Sequence, residues 1–140
     1  MPLHRRLRFG RLMEPNVLDT RQYRSNQVRC DGRQPRCTEQ LDSNRTLLGN
    51  AQKNWLYDSL DNADAAWNVL SQQIMMASLR SVDNEGNELW PMDMWDGYSF
   101  ERQELLDHLQ TVATPNPVVL TGDIHSNWAA DLKQDFDNEA

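Results

Sequence analysis

Long apolar runs, which would indicate a membrane span or an export leader, are missing from this sequence of 140 residues. No stretch approaches the ~20 consecutive apolar residues that a transmembrane helix needs. The N-terminal segment MPLHRRLRFGRLM carries charges but no continuous apolar stretch of the signal-peptide type. We therefore expect no membrane span and no signal peptide. A chain expressed as it stands would stay in the cytoplasm.

Cysteine is equally scarce, because Cys30 and Cys37, at the two ends of CDGRQPRC, are the only two in the chain. Two thiolates cannot complete a structural zinc site, which takes four ligands. In an exported protein the pair could form a small disulfide loop, whereas in the cytosol both thiols would remain reduced. The spacing permits either state.

Apolar character is low overall, with a mean hydropathy of −0.78. Five Trp and six Met indicate the opposite, because such side chains are rare in a solvated polymer. The two observations agree if the chain buries part of its surface against something outside itself.

The net charge of −7 is unevenly distributed. Residues 1–45 hold ten of the fourteen cationic residues and five acids, while the remainder holds four cationic residues and sixteen acids. A basic lobe could bind nucleic acid or phosphate. However, these arginines are not interleaved with aromatic residues as in single-strand binders. We therefore favour solvated surfaces, or arginines paired with acids elsewhere in the fold, and expect no nucleic-acid partner.

The order of the predicted elements, β, β, α, β, α, β, indicates layered α/β architecture in one domain. Gly49-Asn50 and Ser99 are the expected helix caps. Gln72 and Gln73 are unusual in an apolar strand, and indicate either polar contacts near a site or an edge strand with one wet face. We predict extended segments at Leu7–Leu12 and Asn16–Asp19 separated by Glu14-Pro15, helices at Leu48–Leu60 and Ser99–Val112, strands at Trp67–Met75 and Val118–Thr121, and loops over 24–46 and 80–98.

The sharpest chemical feature is Thr-Gly-Asp-Ile-His-Ser at 121–126, directly after the last apolar run. Strand ends in α/β sheets are where reactive side chains emerge into a crevice. In an extended segment, residues two apart point the same way and lie ~7 Å apart. Asp123 and His125 could then share or flank one metal centre, for which a carboxylate and an imidazole are suitable ligands. Taken alone, this pattern is weak, because an Asp and a His often follow a strand by chance.

Other candidate residues have structural alternatives. Asp19 and Arg21 are two apart, so Arg21 could contact a phosphate or a neighbouring carboxylate, or form an internal salt bridge that holds the strand in place. The last of these is favoured. Trp95, Asp96 and Tyr98 could line the mouth of a site, although packing of the loop is the better interpretation. His4 and His108 have no supporting neighbours in the sequence, and His108 is expected at a helix surface or boundary.

Five segments, in this order, resemble the alkaline phosphatase D (PhoD-like) family. They are LDTRQYR at 18–24, RTLLGNAQKNWL at 45–56, AAWNVLSQQIMMA at 65–77, MWDGYSFER at 94–102 and NPVVLTGDIHSNWAADL at 116–132. Together they cover about two fifths of the chain, and they are far more specific than Asp-x-His alone.

The resemblance implies a metallophosphoesterase whose layered αββα sandwich would be incomplete in residues 1–140. In that family a centre of calcium and iron hydrolyses phosphomonoesters and phosphodiesters, which implies those two cofactors and a phosphate ester substrate. The segment GDIHS matches a family segment that supplies metal ligands, so Asp123 and His125 become the expected catalytic metal ligands, with Arg21 as a substrate-binding residue. The family is typically exported to the periplasm or the extracellular space.

The chain also departs from the family pattern. The earlier half of the family carries a cysteine ligand, an aspartate–tyrosine ligand segment and an asparagine ligand, and none of these motifs occurs here. Cys30 and Cys37 lie in a variable loop and do not match the metal cysteine. The family continues beyond residue 140. Two hypotheses follow: a phosphatase or phosphodiesterase that needs its missing half, supplied by another chain if the protein is split, or a non-catalytic truncated remnant or interaction module. In either case we expect the isolated chain to be inactive.

Overall fold

The computed structural model describes residues 2–28 and 32–138. Within these ranges, two helices and a parallel-stranded sheet account for most of the regular structure. The helices are α1 (Asn50–Asp61) and α2 (Ser99–Thr111), with 3-10 turns at Thr38–Leu41 and Trp95–Tyr98. The strands are β1 (Arg5–Arg6), β2 (Met13–Val17), β3 (Arg33–Gln34), β4 (Trp67–Ser71), β5 (Ser81–Val82), β6 (Glu88–Pro91) and β7 (Pro117–Leu120).

The main sheet has the order β1-β2-β4-β7. Strands β2, β4 and β7 are parallel, with Asn16 beside Leu70 and Leu70 beside Val119, while β1 is antiparallel to β2. Because parallel strands end at the same edge of a sheet, the segments that follow β2, β4 and β7 emerge together. The fold is therefore mixed α/β, as the order of elements predicts.

Both helices and one face of this sheet share an apolar core. In α1, Leu56, Ser59 and Leu60 follow the spacing of one helical face, and all three are buried. In α2, Leu105, Leu106 and Leu109 share one helical face and are likewise buried. The core includes Leu18, Leu56, Leu60, Leu70, Ile74, Leu105, Leu106 and Leu109, with Val112 and Val119 packed against it.

The opposite face of the sheet presents large apolar side chains to solvent. Side chains alternate along a strand, so Trp67 lies on the face away from Leu70, and its partner in the register, Met13, lies beside it. Trp67 is 47% exposed, and Leu120, on the same face of β7, is 57% exposed. This apolar surface agrees with the expectation that the chain buries area against something outside itself.

The start of α1 is held by a carboxylate from α2. Glu101, almost fully buried, accepts hydrogen bonds from the backbone N–H groups of Leu47 and Leu48 and from the hydroxyl of Thr46. Gly49 is the N-cap, as predicted, with a φ of 74° that favours glycine. A Cβ at this position would lie 2.8 Å from the Cβ of Tyr23, so the site is also too tight for a side chain.

The N-terminal strand predictions were wrong in their bounds. Leu7–Leu12 is mostly a turn around Gly10 rather than a strand, and β2 runs through Glu14 and Pro15, which were expected to separate two segments. Proline lacks a donor, but the carbonyl of Pro15 still accepts a hydrogen bond from Leu7 at 2.9 Å. The strand therefore continues through the proline.

The loop expected over 80–98 contains a small antiparallel sheet. Its order is β3-β6-β5, with Asp83 at the turn between β5 and β6. The Asp83 carboxylate accepts hydrogen bonds from the backbone N–H groups of Glu85 (2.9 Å) and Asn87 (2.8 Å). The 24–46 segment is largely a loop, as expected, although it supplies β3 and one 3-10 turn.

The polar and aromatic residues after β6 serve packing rather than lining a site mouth. Trp95 and Tyr98 are fully buried in the core. The buried Asp96 accepts hydrogen bonds from Arg102 (2.8 Å) and from the backbone N–H of Leu79 (2.9 Å). Ser99 is not the N-cap of α2, since Tyr98 takes that position and the Ser99 hydroxyl donates to the carbonyl of Asp96.

The two cysteines cannot be compared, because Cys30 lies outside the described residues. Cys37 is half-buried and packs against the small cluster of Val28, Trp90 and Met92. No helix within residues 2–28 and 32–138 is long and apolar enough to cross a membrane.

Candidate functional site

The candidate site lies where the three parallel strands end. Leu18–Arg21 follow β2, Gln72 and Gln73 follow β4, and Thr121–Asp123 follow β7. Reactive side chains in open α/β sheets are commonly placed at this edge, where the strands give them a rigid base.

Gln73 connects all three strand ends. Its side-chain oxygen accepts hydrogen bonds from the backbone N–H and the hydroxyl of Thr20, both at 2.7 Å. Its side-chain nitrogen donates to the carbonyl of Leu18 at 2.7 Å, and its own carbonyl accepts from the N–H of Gly122 at 3.3 Å. Gln73 therefore fixes the segment of Asp19 and Arg21 relative to that of Asp123.

The neighbouring Gln72 has a packing role. Its side-chain oxygen accepts a hydrogen bond from the indole nitrogen of Trp95 at 2.8 Å. Strand β4 lies between β2 and β7 and ends at Ser71 rather than at Met75. The edge-strand interpretation of the two glutamines was therefore wrong, and polar contacts account for both.

Asp19 is a buried carboxylate at the end of β2, with 6% of its surface exposed. Its Oδ1 accepts hydrogen bonds from the backbone N–H groups of Arg21 (2.9 Å) and Gln22 (3.1 Å). Its backbone is paired with the side-chain amide of Gln52 from α1, with both hydrogen bonds at 2.8 Å. Its Oδ2 is buried and has no hydrogen-bond partner among the described residues.

Arg21 pairs with Asp123, not with Asp19. The guanidinium nitrogen Nη2 of Arg21 contacts Oδ2 of Asp123, and both side chains are more than one third exposed. An ion pair at this exposure contributes little to stability. The contact instead joins the segment after β2 to the segment after β7. Two of the roles considered for Arg21 were contact with a neighbouring carboxylate and an internal salt bridge. The pair with Asp123 is both of these.

The backbone of the GDIHS segment is not extended. Asp123 has a φ of 71° and His125 a φ of 55°, and the N–H of Ile124 bonds the carbonyl of Gly122 at 2.9 Å. The premise that both side chains point the same way along an extended segment was therefore wrong. Left-handed backbone in non-glycine residues costs about 1–3 kcal/mol and is concentrated at functional sites. Asp and His tolerate it better than most residues.

Several arginines of residues 1–45 pair with acids that lie far along the chain. Arg8 pairs with Asp64. Arg36 pairs with Asp137, with its Nη1 2.5 Å from Oδ2 of the carboxylate. The Arg36 side chain holds the pKa of the Asp137 carboxyl below its usual value through a hydrogen bond. Paired arginines, rather than a free basic surface, account for part of the charge asymmetry.

The remaining histidines have packing partners that the sequence did not reveal. His108 stacks on Tyr57 with ring centroids 4.0 Å apart, and its Nε2 lies 2.9 Å from a carboxylate oxygen of Asp61. Burial, followed by the nearby Glu104 carboxylate, raises the pKa of Tyr57 well above its usual range. His4 lies against Trp55 with ring centroids 4.7 Å apart. His108 occupies a half-buried boundary position on its helix, as expected.

No group of three or more His, Cys, Asp or Glu side chains in the described ranges is arranged to hold a metal ion. The residues at the strand ends nevertheless have the chemistry of a cation site. Asp123 supplies a partly exposed carboxylate, His125 an exposed imidazole, and Asp19 a buried carboxylate oxygen without a partner. Carboxylate oxygens suit calcium, and carboxylate with imidazole suits iron. The donor set is compatible with these ions, and by itself it is incomplete.

Sequence reasoning indicated polar contacts near a site for Gln73, but it did not identify its partners, and it did not identify Gln52 as a residue that builds this site. Both sit in apolar contexts, Gln52 on the buried face of α1 and Gln73 after the apolar β4. A polar residue at such a position is the available signal, because buried polar groups are almost always hydrogen-bonded.

The fold is that of one part of a larger α/β protein. The family model described as PhoD-like phosphatase matches residues 1–140, and the chain belongs to that family. It is 42% identical over 137 residues to alkaline phosphatase D of Bacillus subtilis (strain 168), which covers 98% of this chain and 23% of that protein. A solved structure described as "Structure of PhoD" superposes with a TM-score of 0.91 at 42% identity, covering 99% of this chain and 26% of that one. The chain thus spans about a quarter of the length of these relatives.

Proposed function

We propose that this chain supplies one edge of the active site of a metal-dependent phosphatase that hydrolyses phosphomonoesters and phosphodiesters. The observation that supports this most directly is the junction of Arg21 and Asp123 at the ends of parallel strands, in a chain of the PhoD-like phosphatase family. At this edge the guanidinium of Arg21 is a group that can bind a phosphate, and the carboxylate of Asp123 is a group that can bind a metal ion.

In this proposal Asp123 and His125 are the metal ligands and catalytic residues, and calcium and iron are the cofactors. When bound, such ions polarise phosphoryl oxygens and lower the pKa of coordinated water. The chain's own residues have the task of positioning. Gln73 sets the distance between the segments of Arg21 and Asp123, and the left-handed backbone of Asp123 fixes the direction of its carboxylate.

Arg21 is the proposed substrate-binding residue. Its Nη2 is engaged by Asp123, while the rest of the planar guanidinium has further N–H donors. Guanidinium groups match the geometry of phosphate oxygens, so the remaining donors suit the phosphate of an ester substrate. The backbone of Arg21 is held by the buried Asp19, which keeps this cation in place.

The test places this segment in the full-length Bacillus relative and changes one residue at a time. Asp123→Asn and His125→Ala should each lower the rate by several orders of magnitude and reduce the metal content, because a ligand is lost. His108 is half-buried on α2, away from the strand ends. The rate of His108→Ala should therefore stay within a few-fold of the parent rate. If His125→Ala retains both metal and activity, the GDIHS segment is structural and the proposed site is wrong.

A second candidate is a non-catalytic remnant or interaction module. The observation that favours it is the apolar sheet face that includes Trp67 and Leu120, together with the incomplete donor set. In either case we propose that the partner for this face is the rest of a PhoD-like chain. Co-expression of the remaining part of the Bacillus relative with this chain separates the two: assembly with recovery of phosphatase activity supports the enzyme, and assembly without activity supports the module.

Export is a further part of the proposal, since the resemblance implies a working location in the periplasm or outside the cell. The test is fractionation of the native host followed by detection of the chain. Recovery in the cytoplasmic fraction alone would contradict export.

A further inference from the structure

We propose that Asp19 is a further functional residue of this site, whose buried carboxylate supplies the negative charge that lets Asp123 bind a cation while Arg21 stays paired with it. The inference rests on the proposed role of Asp123 as a cation ligand. Asp19 does not need to touch the cation, and acts as a positioning and charge-balancing residue.

The first support is the way in which Asp19 is held. Gln52 fixes its backbone from α1 through two hydrogen bonds, and its Oδ1 receives the N–H groups of Arg21 and Gln22. A continuous line of contacts therefore runs from α1 through Asp19 and Arg21 to Asp123. Any displacement of Asp19 would be transmitted to the Arg21 side chain and so to the Asp123 carboxylate.

The second support is the oxygen that the fold leaves unused. Oδ2 of Asp19 is buried without a hydrogen-bond partner among residues 2–28 and 32–138. A buried carboxylate without a cation costs stability, and a structural role as a cap of two N–H groups needs only Oδ1. Arg21 could compensate this charge, but its guanidinium is directed to Asp123 instead. Groups that cost stability in this way are typical of functional sites.

The third support is the charge balance. Arg21 and Asp123 form a neutral pair, which has no net attraction for a divalent cation. With the Asp19 carboxylate included, the three groups carry one net negative charge. Because Asp19 is buried, its field at Asp123 is screened less than that of a surface carboxylate. Asp19 thus restores the attraction that the guanidinium of Arg21 would cancel.

The experiment places this segment in the full-length Bacillus relative and compares Asp19→Asn, Asp123→Asn and Asp83→Asn with the unchanged protein, by calorimetric titration with Ca²⁺ and by thermal melting. Asp83 is a matched control, because its carboxylate also accepts two backbone N–H bonds but lies in an exposed turn outside the site. We expect Asp19→Asn to weaken Ca²⁺ binding by roughly tenfold, as loss of a nearby unit charge predicts. Its melting temperature should be no lower than that of the unchanged protein. Asp83→Asn should leave Ca²⁺ binding unchanged.

The outcomes separate this inference from the proposed function. If Asp123→Asn abolishes binding while Asp19→Asn binds normally, the role of Asp19 is wrong and the cation site stands. If Asp19→Asn lowers both binding and melting temperature, Asp19 is a structural cap and the inference is overturned. If Asp123→Asn binds Ca²⁺ as well as the unchanged protein, the proposed cation role of Asp123 fails and the inference fails with it.

Discussion

Arg21 and Asp123 are in contact although they are 102 positions apart in the sequence. Each follows a parallel strand of the same sheet, so the strand order β2-β4-β7 is what brings them to one edge. Gln73, after the strand between them, bonds to the segments of both. The site is therefore a product of topology, and any test of it has to separate local chemistry from the integrity of this edge.

The isolated chain should have no significant phosphatase activity. Asp123 and His125 supply two donors, whereas calcium alone takes 6–8 oxygen ligands. The measurement is turnover of a chromogenic phosphomonoester at alkaline pH with calcium and iron added. Robust metal-dependent turnover that disappears in Asp123→Asn would show that the chain is a complete enzyme.

Gln73→Leu should destabilise the fold by about 1–3 kcal/mol, the cost of leaving buried polar groups unpaired. The substitution removes the acceptor for the buried Thr20 and the donor to the Leu18 carbonyl. The free energy of unfolding from urea denaturation measures the effect. Gln103→Leu is the control, since the Gln103 amide bonds only at the surface. Equal effects of the two substitutions would contradict the role of Gln73.

The ion pair of Arg36 and Asp137 should make stability depend on acidic pH. The hydrogen bond from Arg36 holds the pKa of Asp137 below its usual 3.8. A carboxyl whose pKa is lower in the folded state stabilises that state above its unfolded pKa, and the contribution is lost as pH falls through the folded pKa. Asp137→Asn should therefore be less stable than the unchanged chain at neutral pH and should match it at strongly acid pH. A difference that is constant with pH would contradict this assignment.

Paired changes on the exposed sheet face should reduce self-association of the isolated chain. Trp67 and Leu120 lie on this face with about half of their surface exposed, and exposed apolar surface promotes association. Trp67→Gln combined with Leu120→Gln should lower light scattering at a given concentration. Leu41→Gln is the control, because Leu41 is 65% exposed but lies in a 3-10 turn away from the sheet. If all variants scatter alike, this face does not drive association.

The elements with strong periodicity could be predicted from the sequence. Helix α1 was expected at Leu48–Leu60 and is Asn50–Asp61, and α2 was expected at Ser99–Val112 and is Ser99–Thr111. Leucines at helical spacing determine both. Strands β3 and β5, of two residues each, carry no periodic signal, because alternation needs at least four residues to be recognised.

The candidate site could be predicted in its residue types but not in its geometry. The Asp-x-His motif and Arg21 can be recognised in the sequence. The left-handed backbone at Asp123 and His125 cannot. Polar contacts near a site were one interpretation of Gln73, but the sequence does not reveal its partner Thr20, which is 53 positions away. Such contacts depend on strand order, which hydrophobic patterns do not specify.

The carboxylate of Glu101 has a consequence for the order in which the chain can fold during synthesis. It anchors the segment that leads into α1 by accepting the N–H groups of Leu47 and Leu48, yet it is synthesised 54 positions after Leu47. A ribosome adding about 5–20 residues per second needs several seconds to reach it. During that interval the segment that leads into α1 lacks its anchor, so the helix and this segment can reach their final stability only after α2 has left the exit tunnel.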